Sequence, residues 1–133
     1  MRRLLSLVLL FWLCAPLALA SGGGKKEPPK GPSYFELKPA LVMNIAEGGK
    51  FVRCDVQLLI NDPPLVAGVE LHAPALRHEL LMLLGEQDGN KLRTAQGKEE
   101  LRMKALEMAK KVMKEQTGKE SVSDLFFTAF FVQ

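Results

Sequence analysis

The sequence predicts an α+β domain: a small, mainly antiparallel sheet with two helices packed on it, in the order β-β-α-α-β, and a short extra strand between the helices. Three observations carry that expectation. Residues 34–60 alternate apolar and polar side chains on either side of a glycine turn, the period of a strand pair. Residues 69–117 repeat their apolar side chains at helical spacing, in two runs divided by Asp88-Gly89-Asn90. Residues 121–133 are rich in aromatic and β-branched side chains with no Gly or Pro, which favours a closing strand.

Ahead of the domain stands a targeting pattern. Arg2 and Arg3 precede an apolar core from Leu4 to Leu13, and Pro16 breaks it. Ala18-Leu19-Ala20 then gives the small-x-small arrangement expected before cleavage between Ala20 and Ser21. Read without cleavage, residues 1–20 are an N-terminal membrane anchor, at the short end of the roughly 17–25 residues a span needs. Both readings export the domain. Residues 21–33 hold glycine, lysine and proline with nothing to bury, a solvated linker. Its Lys25, Lys26 and Lys30 are the feature an anionic membrane surface would attract.

Residues 34–133 form the domain itself. Phe35, Leu37, Leu41, Met43 and Ile45 share one parity, with Pro39 marking an edge or an interruption. Glu47-Gly48-Gly49-Lys50 makes the hairpin turn. The return strand sends Val52, Cys54, Val56, Leu58 and Ile60 to one face and Arg53, Asp55 and Gln57 to the other, until Asp62-Pro63-Pro64 stops it.

The first helix is expected over residues 69–84, with Val69, His72, Leu76, Leu80 and Leu83 in one stripe. Pro74 either opens it or kinks it. Lys91-Leu92-Arg93 reads as a brief extended piece. Thr94 is then the N-cap of a longer helix that ends at Gly118 in the left-handed conformation. Its apolar arc of Leu101, Ala105, Leu106, Met108, Val112 and Met113 is wider than the stripe of about 100° that an ordinary surface helix buries, so part of it is expected to meet another element or another subunit.

The closing strand puts Val122, Phe126, Phe130 and Val132 on one face and Leu125, Phe127, Ala129 and Phe131 on the other. Both are apolar, as in a covered strand. Two helices shield one face of a sheet and not both. Association is therefore expected, with Leu106, Met113, Phe126, Phe127, Phe130 and Phe131 as the candidate interface.

Chemistry is sparse. Formal charge is +3 and falls to about +1 without Arg2 and Arg3, so nothing electrostatic calls for nucleic acid. With Cys14 in the targeting segment, Cys54 is the domain's one thiol, facing inward among aliphatic side chains where a cysteine acts as a small hydrophobe. His72 and His78, six residues apart on a helix, lie about 120° apart around its axis and cannot share a metal. No catalytic residue, cofactor site or metal site is expected.

Four pieces in order resemble a known family. Tyr34-Phe35-Glu36-Leu37 with Pro39 and Asn44-Ile45 looks like the opening strand of the flagellar basal-body-associated FliL family, and Leu83-Leu84 like the close of its first helix. Leu92-Arg93-Thr94, Gly97-Lys98 and Leu101-Arg102 are similar to its central signature, and Leu125-Phe126-Phe127-Thr128 with Phe130 to Gln133 to its C-terminus. The resemblance implies a periplasmic domain of stomatin/prohibitin-like fold and self-association into a ring. It also implies a place beside the MotA/MotB stator units, with a role in flagellar rotation, swarming and chemotaxis. Ala129 departs from an often acidic position, and the N-terminus looks cleavable where the family has an inner-membrane helix. The alternative reading is a stomatin-type scaffold on a membrane surface, unrelated to the motor.

Overall fold

The computed structural model describes residues 31–133; the targeting segment, the Ala20/Ser21 cleavage point and most of the linker lie outside them. Three strands form one antiparallel sheet in the order β1-β2-β3, with β1 at Ser33–Asn44, β2 at Phe51–Ile60 and β3 at Asp124–Val132. Between β2 and β3 come α1 (Val66–Leu71), α2 (Ala73–Gly85), α3 (Gly89–Leu92) and α4 (Ala95–Thr117). The α+β class and the antiparallel sheet are as the sequence predicts.

The core lies between the helices and one face of the sheet. Leu37, Leu41, Val52, Cys54, Val56, Leu58, Ile60 and Leu125 face Leu76, Leu80 and Leu84 of α2 and Leu101, Ala105, Ala109 and Met113 of α4, all buried. The small Ala105 and Ala109, one helical turn apart on α4, leave room for a neighbouring backbone to approach.

Four local expectations change. The first helix is two helices, broken at His72 (φ −98°, ψ 11°). Pro74 in the first turn of α2 lacks the N–H that would bond back to α1, so the helix restarts there. Lys91 and Leu92 are helical, not extended: the Asp88 carboxylate caps Asn90 N at 2.8 Å and Leu92 is buried, which favours a turn of helix. No strand lies between the helices among the described residues. By contrast α4 runs between its expected caps, with Thr94 Oγ1 accepting from Gly97 N at 2.9 Å and Gly118 at φ 80°.

The fourth change concerns the closing strand, which starts at Asp124 and is an edge strand. Asp55 pairs with Ala129 while Val56 pairs with Phe127, so Thr128 is an extra residue bulged from the ladder. A single extra residue reverses the parity of everything after it. Leu125, Phe127, Phe130 and Val132 therefore all face the helices, whereas Phe126, Ala129 and Phe131 face the other way. On the opposite strand β1 makes its own excursion between Leu37 and Leu41, at the same level as Asp55. Both irregularities flank one residue of the central strand.

Candidate interaction surface

The helix side of the sheet is closed and the other side is open. On the open side Tyr34 stands beside Phe126 (ring centroids 6.4 Å apart) and Phe51 beside Phe131 (6.1 Å), one pair toward each end of the sheet. Between them the same face carries Glu36, Lys38, Arg53, Asp55 and Gln57, with Glu36 and Lys38 ion-paired at 3.2 Å. Tyr34, Val42 and Phe131 are more than half exposed, at 61%, 54% and 54%. Exposed aromatic rings are costly to leave in water, and aromatic enrichment marks the cores of interfaces.

The six candidate interface residues separate into three groups. Leu106 and Met113 are buried within the chain's own core, at 8% and 0% exposure, so neither is available to another subunit. The wide arc of α4 is absorbed by α2 on one side and the sheet on the other. Phe126 and Phe131 lie on the open face. Phe127 and Phe130 sit side by side on the helix face (5.2 Å), lining a groove between β3 and the start of α4.

That groove, about 440 Å³, is walled by Ala95, Lys98, Glu99 and Arg102 of α4. Lys98 Nζ stands 5.4 Å from the centre of the Phe130 ring, within cation–π range. Arg102 is fully engaged. It donates to both Glu99 oxygens (2.8 and 2.7 Å), to Asp124 Oδ1 (2.7 Å) and to the Leu125 carbonyl (3.1 Å). The hydrogen bonds from Arg102 hold the Glu99 carboxyl below its usual range, and the same bonds raise the guanidinium further.

The signature around residues 92–102 is thus largely a clamp. Arg93 Nη1 donates to the Gly48 carbonyl at 2.6 Å, and Gly89 N to the Glu47 carbonyl at 2.9 Å, so the start of α3 holds the hairpin turn. Gly48 takes φ 73°, and any Cβ there would run into Asp88 and the backbone of α3. A Cβ on Gly97 would strike the Lys91 carbonyl. Phe51 N and Lys50 N both donate to the Gln133 carbonyl, tying the far end of β3 to the same turn. Sequence reasoning missed the Arg102–Asp124 link; opposite charges 22 residues apart give no periodic signal.

Nothing else gathers into a reactive centre among the described residues. Cys54 is buried, and burial, reinforced by the Asp55 charge, pushes its thiol up to about 12, far from a nucleophile's range. His72 sits at the α1–α2 junction and His78 is exposed on α2. No cluster of three His, Cys, Asp or Glu side chains is placed to hold a metal among the described residues.

Fold and surface together define a small α+β domain that covers one sheet face and leaves an aromatic one bare. The model for flagellar basal body-associated protein FliL matches residues 34–133. The flagellar protein FliL of Aquifex aeolicus (strain VF5) is 23% identical over 111 residues, covering 82% of this chain and 66% of that protein. The chain thus spans about two thirds of that relative's length. It belongs to the FliL family of flagellar basal body-associated proteins, and so to the proteins of flagellar motility.

Proposed function

We propose that this chain is a non-enzymatic accessory protein of the flagellar motor, working in the periplasm. There it assembles with further copies of itself, as a ring, beside the MotA/MotB stator units and supports rotation, swarming and chemotactic motility. It is soluble there if cut between Ala20 and Ser21, and held at the inner membrane if not. Among the described residues no helix is long and apolar enough to cross a membrane.

The observation that carries this reading is the bare sheet face. Tyr34, Phe126, Phe51 and Phe131 present aromatic area that their own helices never reach, in a chain whose family is associated with the flagellar basal body. Such area is stabilised by docking on a second surface. Coupling to the stator then needs only rigid positioning, which the clamp at Arg93 and Arg102 provides.

A deletion strain tests the reading. Reduced swarming and reduced speed under viscous load, restored by the intact gene, are the expected results. Normal swimming and swarming at both ordinary and high load would contradict it.

A further inference from the structure

The sheet has two outer edges, and they are not alike. β1 is guarded: its pairing breaks between Leu37 and Leu41, Pro39 removes a donor, Lys38 adds charge, and Arg77 of α2 donates to the Pro39 carbonyl. These are the devices by which natural sheets discourage another strand from adding. β3 carries none of them beyond the Thr128 bulge and, at its start, the Arg102 bond to the Leu125 carbonyl. It has no Pro and no Lys, and its one charged residue, Asp124, is taken up by Arg102.

The ladder identifies which groups of β3 are free. Phe51 and Gln133 exchange both backbone hydrogen bonds, each 3.0 Å. In an antiparallel ladder such pairs alternate with pairs whose N–H and C=O point away. Arg53 and Phe131 are then bonded to each other, while Phe130 and Val132 direct their N–H and C=O outward. Beside those outward groups lies the groove lined by Phe126, Phe127 and Phe130 and walled by Ala95, Lys98, Arg102 and the Glu99 that Arg102 neutralises.

We propose that the free edge of β3 accepts an extended segment of another protein as a fourth strand. The segment is apolar at the positions that face α4 and carries a carboxylate that meets Lys98. Main-chain bonds to Phe130 and Val132 supply affinity, and the groove selects the alternate side chains. Charge selects the occupant. Arg102 already serves Glu99, Asp124 and Leu125, which leaves Lys98 as the groove's cation outside any ion pair among the described residues. A second copy's β3 brings no carboxylate to it, because the only acid of that strand is the Asp124 bound to its own Arg102. A foreign acidic-apolar strand fits where a copy of the same strand does not. This edge meets the open face at Phe126, which borders both, but Tyr34, Val42 and Phe51 belong to the open face alone, so the two readings are tested separately.

The test is an NMR titration of the full, isotope-labelled chain with a synthetic peptide as long as β3, alternating valine with threonine around one central glutamate. The amides of Phe130 and Val132 are expected to shift and gain exchange protection, while that of Phe131, already bonded to Arg53, keeps its protection. Lys98→Glu is expected to weaken binding about tenfold or more, and a peptide with lysine in place of the glutamate to recover it. Val132→Pro, which removes an outward donor and leaves the β2 ladder in place, is expected to weaken both peptides. Three results overturn the proposal. One is no saturable binding of either peptide. Another is a response centred on Tyr34, Val42 and Phe51 of the open face. The third is protection of Phe130 and Val132 that rises with protein concentration before any peptide is added, which assigns the edge to a second copy.

Discussion

Arg102 on α4 and Asp124, the first residue of β3, stand 2.7 Å apart, and the same guanidinium nitrogen reaches the Leu125 carbonyl at 3.1 Å. This pair joins the longest helix among the described residues to the strand whose edge and faces form the candidate surfaces. Both side chains are partly exposed, at 22% and 35%, so screening reduces what the charges contribute. Arg102→Ala is expected to lower unfolding free energy by about 1–2 kcal/mol, most of it from the lost charged hydrogen bonds. A double-mutant cycle with Asp124→Asn, followed by urea unfolding, is expected to give a coupling of about 1 kcal/mol. Additive effects would remove the clamp from the account.

Gly97 and Gly118 separate two kinds of glycine requirement. At Gly118 the backbone has φ 80° with open space around it, so Gly118→Ala costs only the left-handed conformation, about 1–2 kcal/mol. Gly97 has ordinary helical geometry, but a Cβ there meets the Lys91 carbonyl. The better helix propensity of alanine offsets about 1 kcal/mol of that collision. Gly97→Ala is still expected to destabilise, and to disturb the amides of Lys91 and Thr94 in an NMR spectrum. Unchanged shifts at both positions would refute the close approach.

Leu106 and Met113 test the division between core and surface. Leu106→Ala and Met113→Ala are each expected to cost about 2–5 kcal/mol, as for other buried large-to-small changes, with no direct effect on association. Phe131→Ala, at a 54% exposed ring, is expected to cost about 1 kcal/mol or less while weakening self-association. Equilibrium unfolding and light scattering, run on the same samples, read both quantities.

Cys54 sets a pH window. Its folded pKa, pushed up to about 12, exceeds the ordinary 9.0, so the unfolded chain loses the thiol proton first as pH rises. The stabilisation is whole below pH 9 and is lost progressively between about 9 and 12, because the unfolded state then binds fewer protons than the folded one. On a Cys14→Ser background the native thiol is expected to resist thiol reagents at pH 8 and to react on unfolding. Cys54→Ala is expected to flatten part of the alkaline loss of stability.

Much of this architecture is written in local pattern. The alternation from Val52 to Ile60 and the caps Thr94 and Gly118 each depend on neighbours within a turn, and each is where the pattern places it. The faces of the last strand are not local. They hinge on Thr128, and an extra residue in an apolar run leaves no mark on composition, because either parity reads as greasy. The same ambiguity made β3 look covered on both sides when it is an edge. The interface expectation fared accordingly: Phe126 and Phe131 are on open surface, while Leu106 and Met113 are consumed by α2 and the sheet, contacts that a helical wheel cannot distinguish from a partner's. Side-chain-to-backbone hydrogen bonds such as that from Arg93 to the Gly48 carbonyl depend on the turn and the helix meeting in space, which neither segment signals alone.

The most direct test of the open face as the working surface is motility under load in a strain whose only copy carries Phe131→Glu. Protein abundance is to be matched to wild type by immunoblot, and the purified variant's melting temperature checked. A well-folded, normally abundant protein with the swarming and speed of a deletion strain is the expected result. Wild-type swarming and speed from the Phe131→Glu strain would contradict the open face as the working surface.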